Sequence, residues 1–127
     1  MGPPKEKIPR QDPPIVKATI EMIEYFAPVY KQMPNWAKRG TIVPALCRSM
    51  ESLLFELASA AKVCDKLTHL ERADADLDCV RFYMRICYKN RLVTPKQDEV
   101  MARHIVNVGN QLGGWLYSIE GRPQGKK

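Results

Sequence analysis

The 127-residue sequence predicts an all-α protein, folded as an antiparallel up-down-up-down four-helix bundle. Apolar residues recur every three or four positions in four long segments, which is the spacing of a helix with one buried face. The connections between these segments are short, and short connections make consecutive helices antiparallel neighbours. No segment shows the apolar and polar alternation that is typical of a strand. These observations together favour a helical bundle.

The first predicted helix runs from about Ile15 to Met33. Pro28 lies inside it, and the apolar stripe keeps its phase across this proline. We therefore expect Pro28 to kink the helix near Glu24 rather than to end it. The predicted apolar stripe consists of Val16, Ile20, Ile23, Phe26 or Ala27, and Tyr30.

The second and third helices are predicted after a connection at residues 34–40, PNWAKRG. Pro44 fits the first turn of the second helix, where its missing N–H is not needed. Phe82 and Ile86 flank the third stripe and are expected to widen its apolar face. The second stripe is Val43, Leu46, Cys47, Met50, Leu53, Leu54, Leu57, Ala61 and Cys64, and the third is Leu70, Ala73, Leu77, Val80, Met84 and Cys87.

The fourth helix has the clearest start in the chain. Thr94 and Gln97 match a capping box, and Pro95 takes the first helical position. Gly121 is expected to end the helix. Gly109 and Gly113 share one face and would admit a second helix closely, either within the bundle or from another subunit. The core face is predicted to be Val100 or Met101, His104 or Ile105, Val108, Leu112, Trp115 or Leu116, and Ile119.

The domain organisation predicted from these segments is simple. Residues 1–13 are expected to form a flexible proline-rich tail, because the first 14 residues hold five of the ten prolines and few apolar anchors. Residues 14–121 form the bundle, and residues 122–127 form a short basic tail. No apolar stretch approaches the roughly 18 residues that span a bilayer, and no signal peptide is recognisable. A cytoplasmic protein with no membrane contact and with reduced cysteines in its helices is therefore expected.

Catalysis finds little support in the sequence. His69 and His104 are the only histidines, and neither has a cysteine or carboxylate at a metal-ligand spacing. Glu71, Asp74 and Asp78 lie on one helical face, but the Glu-x-x-His pattern of di-iron bundles is absent, so a solvated acidic face is favoured. No phosphate loop or nucleophile motif occurs. We expect no enzyme activity, no metal and no cofactor.

The charge distribution indicates an anionic partner more clearly than the net charge of +6 does. Residues 34–48 carry a net +3 and residues 79–97 a net +5, both without acids, whereas residues 49–78 carry a net −4. In an up-down-up-down bundle the first and third connections lie at the same end. The molecule is therefore expected to be electrically polarised along its axis.

Arg81, Arg85 and Lys89 form a ladder of like charges four residues apart. Such a ladder is mildly destabilising unless an anion meets it. Asp78 can relieve Arg81, but no residue one turn away on the same helix relieves the other two. Two interpretations remain open: a solvated basic face, or a contact for phosphates or an acidic protein surface. The aromatic residues that could assist such a contact are Tyr83, Tyr88 and Trp36.

Several short motifs occur together in an order that resembles a known family. They are Tyr25-Phe26-Ala27-Pro28, Gln32-Met33-Pro34, Ala73-Asp74-Ala75, Arg81-Phe82-Tyr83-Met84-Arg85, Thr94-Pro95, and Val108-Gly109 to Leu112-Gly113 with Trp115. From about residue 15 to 122 the chain resembles the accessory variability determinant (Avd) proteins of diversity-generating retroelements. The same bundle is shared with proteins encoded in intervening sequences of bacterial 23S ribosomal RNA genes.

The resemblance implies a non-enzymatic partner of a reverse transcriptase. Avd-like proteins form homopentameric, ring-like assemblies with a basic surface, and help the polymerase to copy a template RNA with errors at adenines. Arg81 and Arg85 fall where the family carries arginines linked to polymerase binding. We add four residues to the polymerase and nucleic-acid site from charge clustering alone: Lys89, Arg91, Lys38 and Arg39.

Two other functions compete with this one. The first is a free-standing RNA-binding bundle of the intervening-sequence type, and the second is a purely structural oligomer. A reverse transcriptase gene and a pair of near-identical repeats beside this gene would favour the retroelement function over the first alternative.

Overall fold

The computed structural model describes residues 12–121, and it is helical throughout apart from short connections. The all-α class is therefore confirmed, with no strand in this range, but five helices are present where four were predicted. They are α1 (Pro14–Gln32), α2 (Asn35–Arg39), α3 (Ile42–Ala60), α4 (Leu67–Lys89) and α5 (Pro95–Glu120). Residues 1–11 of the predicted N-terminal tail and the whole predicted C-terminal tail lie outside the described residues.

The additional helix, α2, lies within the segment that was predicted to be a plain connection. Pro34 precedes it in an extended conformation, and the N–H of Gly40 closes it by donating to the carbonyl of Ala37 at 3.3 Å. Five residues are too few to show an apolar stripe, so periodicity could not predict this helix. Its one buried residue is Ala37.

Helix α1 continues through Pro28, as predicted, but its buried face differs from the predicted stripe. Ile20 and Ile23 are only half-buried and Tyr30 is exposed. Apolar residues occupy more than one side of α1, so the periodicity was compatible with more than one choice of the face that turns towards the core. Thr19 can be buried because its hydroxyl donates to the carbonyl of Ile15 at 2.8 Å. The observed buried residues of α1 are Ile15, Val16, Ala18, Thr19, Met22, Phe26 and Val29.

Helix α3 ends four residues before the predicted limit at Cys64. The Lys66 ammonium donates to the carbonyls of Ala60 and Val63, both at 2.7 Å. These hydrogen bonds give partners to two backbone carbonyls where the chain leaves the helix. Cys64 is exposed, so its prediction as a core residue was wrong. The stripe of α4 is confirmed in full, since all six predicted residues are buried. Phe82 is 50 % exposed and does not widen that face.

Helix α5 begins and ends as predicted. The Gln97 N–H donates to the Thr94 hydroxyl at 3.0 Å, and the Thr94 N–H donates to the Gln97 carboxamide at 2.9 Å, which completes the capping box. Gly121 ends the helix in the left-handed conformation, with φ 74°. Val108 and Leu112 are buried as predicted, and Met101, Ile105 and Leu116 are the buried members of the three pairs that the sequence left open. Ile119 is exposed, so its prediction as a core residue was wrong.

The long helices contact one another in a closed order: α1 with α3, α3 with α4, α4 with α5, and α5 with α1. Met33, Pro34, Arg91 and Thr94 line one groove, so the connections after α1 and α4 lie at the same end, as expected. We call residues 33–43 and 89–97 the α2 end. The start of α1, the α3–α4 connection and Trp115 share a groove at the other end. No helix within residues 12–121 combines the length and apolar character needed to span a bilayer.

Candidate functional site

Arg81 and Arg85 lie side by side in a groove between α4 and α5. The groove has a volume of about 270 Å³. Arg81 and Arg85 come from α4, and α5 contributes the carboxylate of Asp98. We call it the α4–α5 groove; its remaining lining residues are Met84, Tyr88, Ala102, Ile105 and Val106. The two arginines that the family resemblance singled out thus share one surface.

Arg81 pairs with an acid on its own helix and lies close to the backbone of α5. Its Nη1 atom lies 2.5 Å from Asp78 Oδ1, one turn earlier on α4, so the expected relief of Arg81 by Asp78 is confirmed. Its Nη2 atom lies 4.0 Å from the position that a Cβ would occupy on Gly109 of α5. A Cβ on Gly109 would therefore make only an ordinary van der Waals contact with the guanidinium.

Arg85 is exposed, and its guanidinium carbon lies 5.7 Å from the centre of the Phe82 ring. This separation is within the range of a cation–π contact. Asp98 faces the same groove from α5, so an acid from a different helix shares the surface with Arg85. No sequence pattern indicated Asp98, because it directly follows the basic segment at residues 79–97 and reaches the groove only when α5 packs against α4.

The floor and rim of the α4–α5 groove are apolar. Met84 and Ile105 are buried beneath it, whereas Val106 and Tyr88 are exposed at its edge. Two cations above an apolar floor can bind a partner segment that carries both acidic and apolar side chains, because each kind of side chain meets its complement. Tyr83, by contrast, is half-buried against the core.

The other four predicted site residues lie at the α2 end and do not line the α4–α5 groove. Lys89 is the exposed last residue of α4. Arg39 is the exposed last residue of α2, next to Lys38. Lys38 Nζ donates to the carbonyl of Lys31 at 3.3 Å and lies 5.3 Å from the centre of the Tyr30 ring.

Arg91 has a left-handed backbone, with φ 60°. Its N–H donates to the carbonyl of Tyr88 at 3.1 Å, and the N–H of Leu92 donates to the carbonyl of Cys87 at 2.9 Å. This pair of bonds is the Schellman motif that ends many helices, usually with glycine at the left-handed position. The motif directs the chain from α4 towards α5 and places Arg91 in a groove of about 300 Å³ beside Trp36.

The acidic segment, residues 49–78, contains a pair that the sequence did not reveal. His69 Nδ1 of α4 lies 2.7 Å from Glu56 Oε1 of α3, and Glu56 is buried. The two residues are 13 positions apart on different helices, which leaves no local pattern to detect. His104 packs its ring against Tyr25, with 5.6 Å between ring centres. Within residues 12–121, no three His, Cys, Asp or Glu side chains gather as a metal site would require.

Two thiols on facing helices have raised pKa values. Burial raises the pKa of Cys87 on α4 to about 11, with a further contribution from nearby Cys47 on α3. Burial also raises the pKa of Cys47, and the carboxylate of Glu51 adds to this effect. Both groups are therefore protonated near neutral pH and behave as small apolar side chains.

Comparison with known proteins agrees with the resemblance seen in the sequence. A family model described as bAvd-like matches residues 15–119, which covers all five helices except the ends of α1 and α5. No curated protein matches the chain. The chain therefore belongs to the bAvd-like family of accessory proteins.

Proposed function

We propose that this protein is a non-enzymatic, cytoplasmic accessory subunit of a diversity-generating retroelement. It binds the reverse transcriptase and the template RNA, and the polymerase supplies all the chemistry. The observation that carries the proposal is the convergence of Arg81 and Arg85 in one groove of a bAvd-like chain. An acidic segment of the polymerase would contact the two guanidiniums and place apolar side chains over Met84 and Ile105.

The proposal includes the assembly. The closed order of helix contacts and the alternation of helix ends support an up-down-up-down four-helix bundle. A homopentameric ring of such bundles would bring five copies of the basic α2 end together. Gathering cations in this way strengthens attraction for an RNA backbone and makes the affinity fall steeply with added salt.

The test is co-purification of the protein with the reverse transcriptase encoded beside it. Arg81→Ala combined with Arg85→Ala should abolish binding, because both charges are lost from the α4–α5 groove. The matched control is Lys62→Ala combined with Arg72→Ala. It removes the same charge from two exposed side chains in the acidic segment, residues 49–78. The control should bind the polymerase as the wild type does.

Thermal melting of each variant alone separates binding from folding. The Arg81 pair with Asp78 is surface-exposed, and such pairs contribute about 0 to 1 kcal/mol. The groove variant should therefore melt within a few degrees of the wild type. Polymerase binding by the groove variant would refute the assignment of this surface. RNA binding without any polymerase binding by the wild type would favour the intervening-sequence type of function instead.

A further inference from the structure

Trp36 occupies an unusual position at the α2 end. Helix α2 buries Ala37, whereas the preceding side chain, Trp36, is exposed. Trp36 is 68 % exposed, more than any other large apolar side chain in residues 12–121. The inward contacts of this segment are made by Met33 and Ala37, which belong to the buried core. The indole is therefore available to a partner.

Trp36 borders two adjacent grooves. One has a volume of about 300 Å³ and is shared with Met33, Pro34 and Arg91. The second has a volume of about 250 Å³ and is shared with Ala37, Gly40 and Leu92. Each is at or below the lower end of the volumes of small-molecule sites. A single planar ring fits a groove of this size.

The charges around Trp36 are positive. Residues 25–50 and 79–97 contain no Asp or Glu. Lys38 and Arg39 belong to the same short helix as Trp36, and Arg91 lines the larger groove. Within the described part of the chain, Arg39 and Arg91 have no ion-pair partner. The acids nearest to Arg91 along the chain are Asp98, in the α4–α5 groove, and Glu99, which pairs with Lys96 and Arg103.

We infer that Trp36 is a stacking platform for an unpaired nucleobase, with Arg91, Lys38 and Arg39 holding the phosphates on either side of it. The inference rests on the proposed nucleic-acid binding and assigns it to a specific site. Single strands bind to proteins through this combination of an aromatic face for the base and cations for the backbone. The strand recognised would be single-stranded, because a paired base cannot offer its face to the indole.

The alternative occupant is an acidic peptide. Such a peptide would use the same cations, but its acidic side chains have no aromatic ring that could stack on the Trp36 indole. The α4–α5 groove suits such a peptide better, because Met84, Ile105 and Val106 give it the more apolar lining. The observations at the α2 end therefore favour a base over a peptide, and the two occupants give different results in the following test.

The first measurement is tryptophan fluorescence. The chain has two tryptophans, and Trp115 lies at the opposite end with Lys66 Nζ 5.9 Å from its ring. In a Trp115→Phe background the emission reports on Trp36 alone. An oligothymidylate of about 15 residues should quench this emission by stacking. An abasic deoxyribose-phosphate strand of the same length should bind through charge without quenching it.

The second measurement is the affinity of a matched pair of variants. Trp36→Leu should weaken binding of the oligothymidylate roughly 5- to 100-fold, the range expected for loss of one stacked base, and should leave binding of the abasic strand unchanged. Phe55→Leu is the control, because Phe55 is 65 % exposed but lies on α3 one turn from Glu51. It should bind both strands as the wild type does. Circular dichroism checks that each variant is folded.

Three results would overturn the inference, and they are distinguishable. If the wild type binds neither strand, nucleic-acid binding fails and the inference fails with it. If both strands bind but Trp36→Leu matches the wild type, nucleic-acid binding stands and the stacking platform is refuted. If oligoglutamate changes the Trp36 emission and displaces the oligothymidylate, while the thymidylate itself causes no quenching, the α2 end is a peptide site.

Discussion

Arg91 combines a strained backbone with a candidate binding role. A non-glycine residue in the left-handed region costs about 1 kcal/mol, and glycine avoids this cost. We predict that Arg91→Gly raises the free energy of unfolding by about 1 kcal/mol in urea denaturation. The same substitution should weaken binding of single-stranded nucleic acid, because it removes a cation beside Trp36.

The control for Arg91→Gly is Lys89→Gly. Lys89 is the last helical residue of α4, where glycine relieves no strain and lowers helix propensity. It should lower the stability while also removing one positive charge. A stability of Arg91→Gly equal to or below that of the wild type would show that the left-handed conformation costs this residue nothing.

The buried thiol of Cys87 predicts a specific pH dependence. Its pKa is raised from 9.0 to about 11 in the folded protein, so the unfolded chain loses this proton first as the pH rises. The contribution to stability is complete below pH 9 and is lost as the pH approaches 11, by about 2 kcal/mol. We expect the wild type to lose that much more stability than Cys87→Ala between pH 8 and pH 11 in denaturant titrations.

Cys64→Ala is the control for the Cys87 experiment, since it removes an exposed thiol from the α3–α4 connection. It should keep the pH dependence of the wild type. If Cys87→Ala and the wild type lose stability in parallel, the Cys87 thiol does not contribute to the alkaline transition.

At the scale of elements, Gly109 of α5 faces Leu77 and Arg81 of α4. A Cβ on this residue would lie 3.5 Å from Leu77 Cδ2, which is an ordinary van der Waals contact. Alanine therefore fits, and it favours the helix by about 1 kcal/mol relative to glycine. We predict that Gly109→Ala raises the melting temperature and leaves polymerase binding intact, because the Arg81 guanidinium keeps its place 4.0 Å away.

Gly121→Ala is the opposite control for Gly109→Ala. Gly121 ends α5 with φ 74° and has open space around its Cβ position, so backbone strain alone decides the effect. This substitution should lower the melting temperature. A decrease for Gly109→Ala as well would mean that the α4–α5 contact is tighter than this geometry indicates.

Helix α4 is also the element that polarises the molecule. Its first half carries Asp74, Asp76 and Asp78, and its second half carries Arg81, Arg85 and Lys89. Of these residues only Lys89 lies in the last turn of α4, where a base interacts favourably with the helix dipole. The dipole at Lys89 and the pairing of Asp78 with Arg81 each offset part of the repulsion within the basic ladder.

At the scale of the whole molecule, the proposed pentamer can be measured directly. The chain has a mass of 14.5 kDa, and five copies would have a mass of about five times that value by light scattering. A charged ring should also bind nucleic acid more tightly than a single chain, because several α2 ends act together. A monodisperse monomer at micromolar concentration would remove the ring from the proposed function.

Much of the candidate site was predictable from sequence because its charges are local. Arg81 and Arg85 lie four positions apart, and a helix places such residues on one face whatever surrounds it. Asp98 and Val106 were not predictable, because they reach the α4–α5 groove only through the packing of a second helix. The α2 end was predicted as a cluster of charge, but the exposure of Trp36 and the groove it shares with Arg91 were not.

The sequence by itself determined the helical class, the core face of α4, the capping box and the left-handed end of α5. Each depends on spacing or on hydrogen bonds within a few residues, which the chain order already contains. Only the tertiary structure decided the rotation of α1, the early end of α3, the short helix α2 and the pairing of Glu56 with His69. These features depend on which helix surfaces meet, because only the packing of the helices determines which apolar side chains are removed from water.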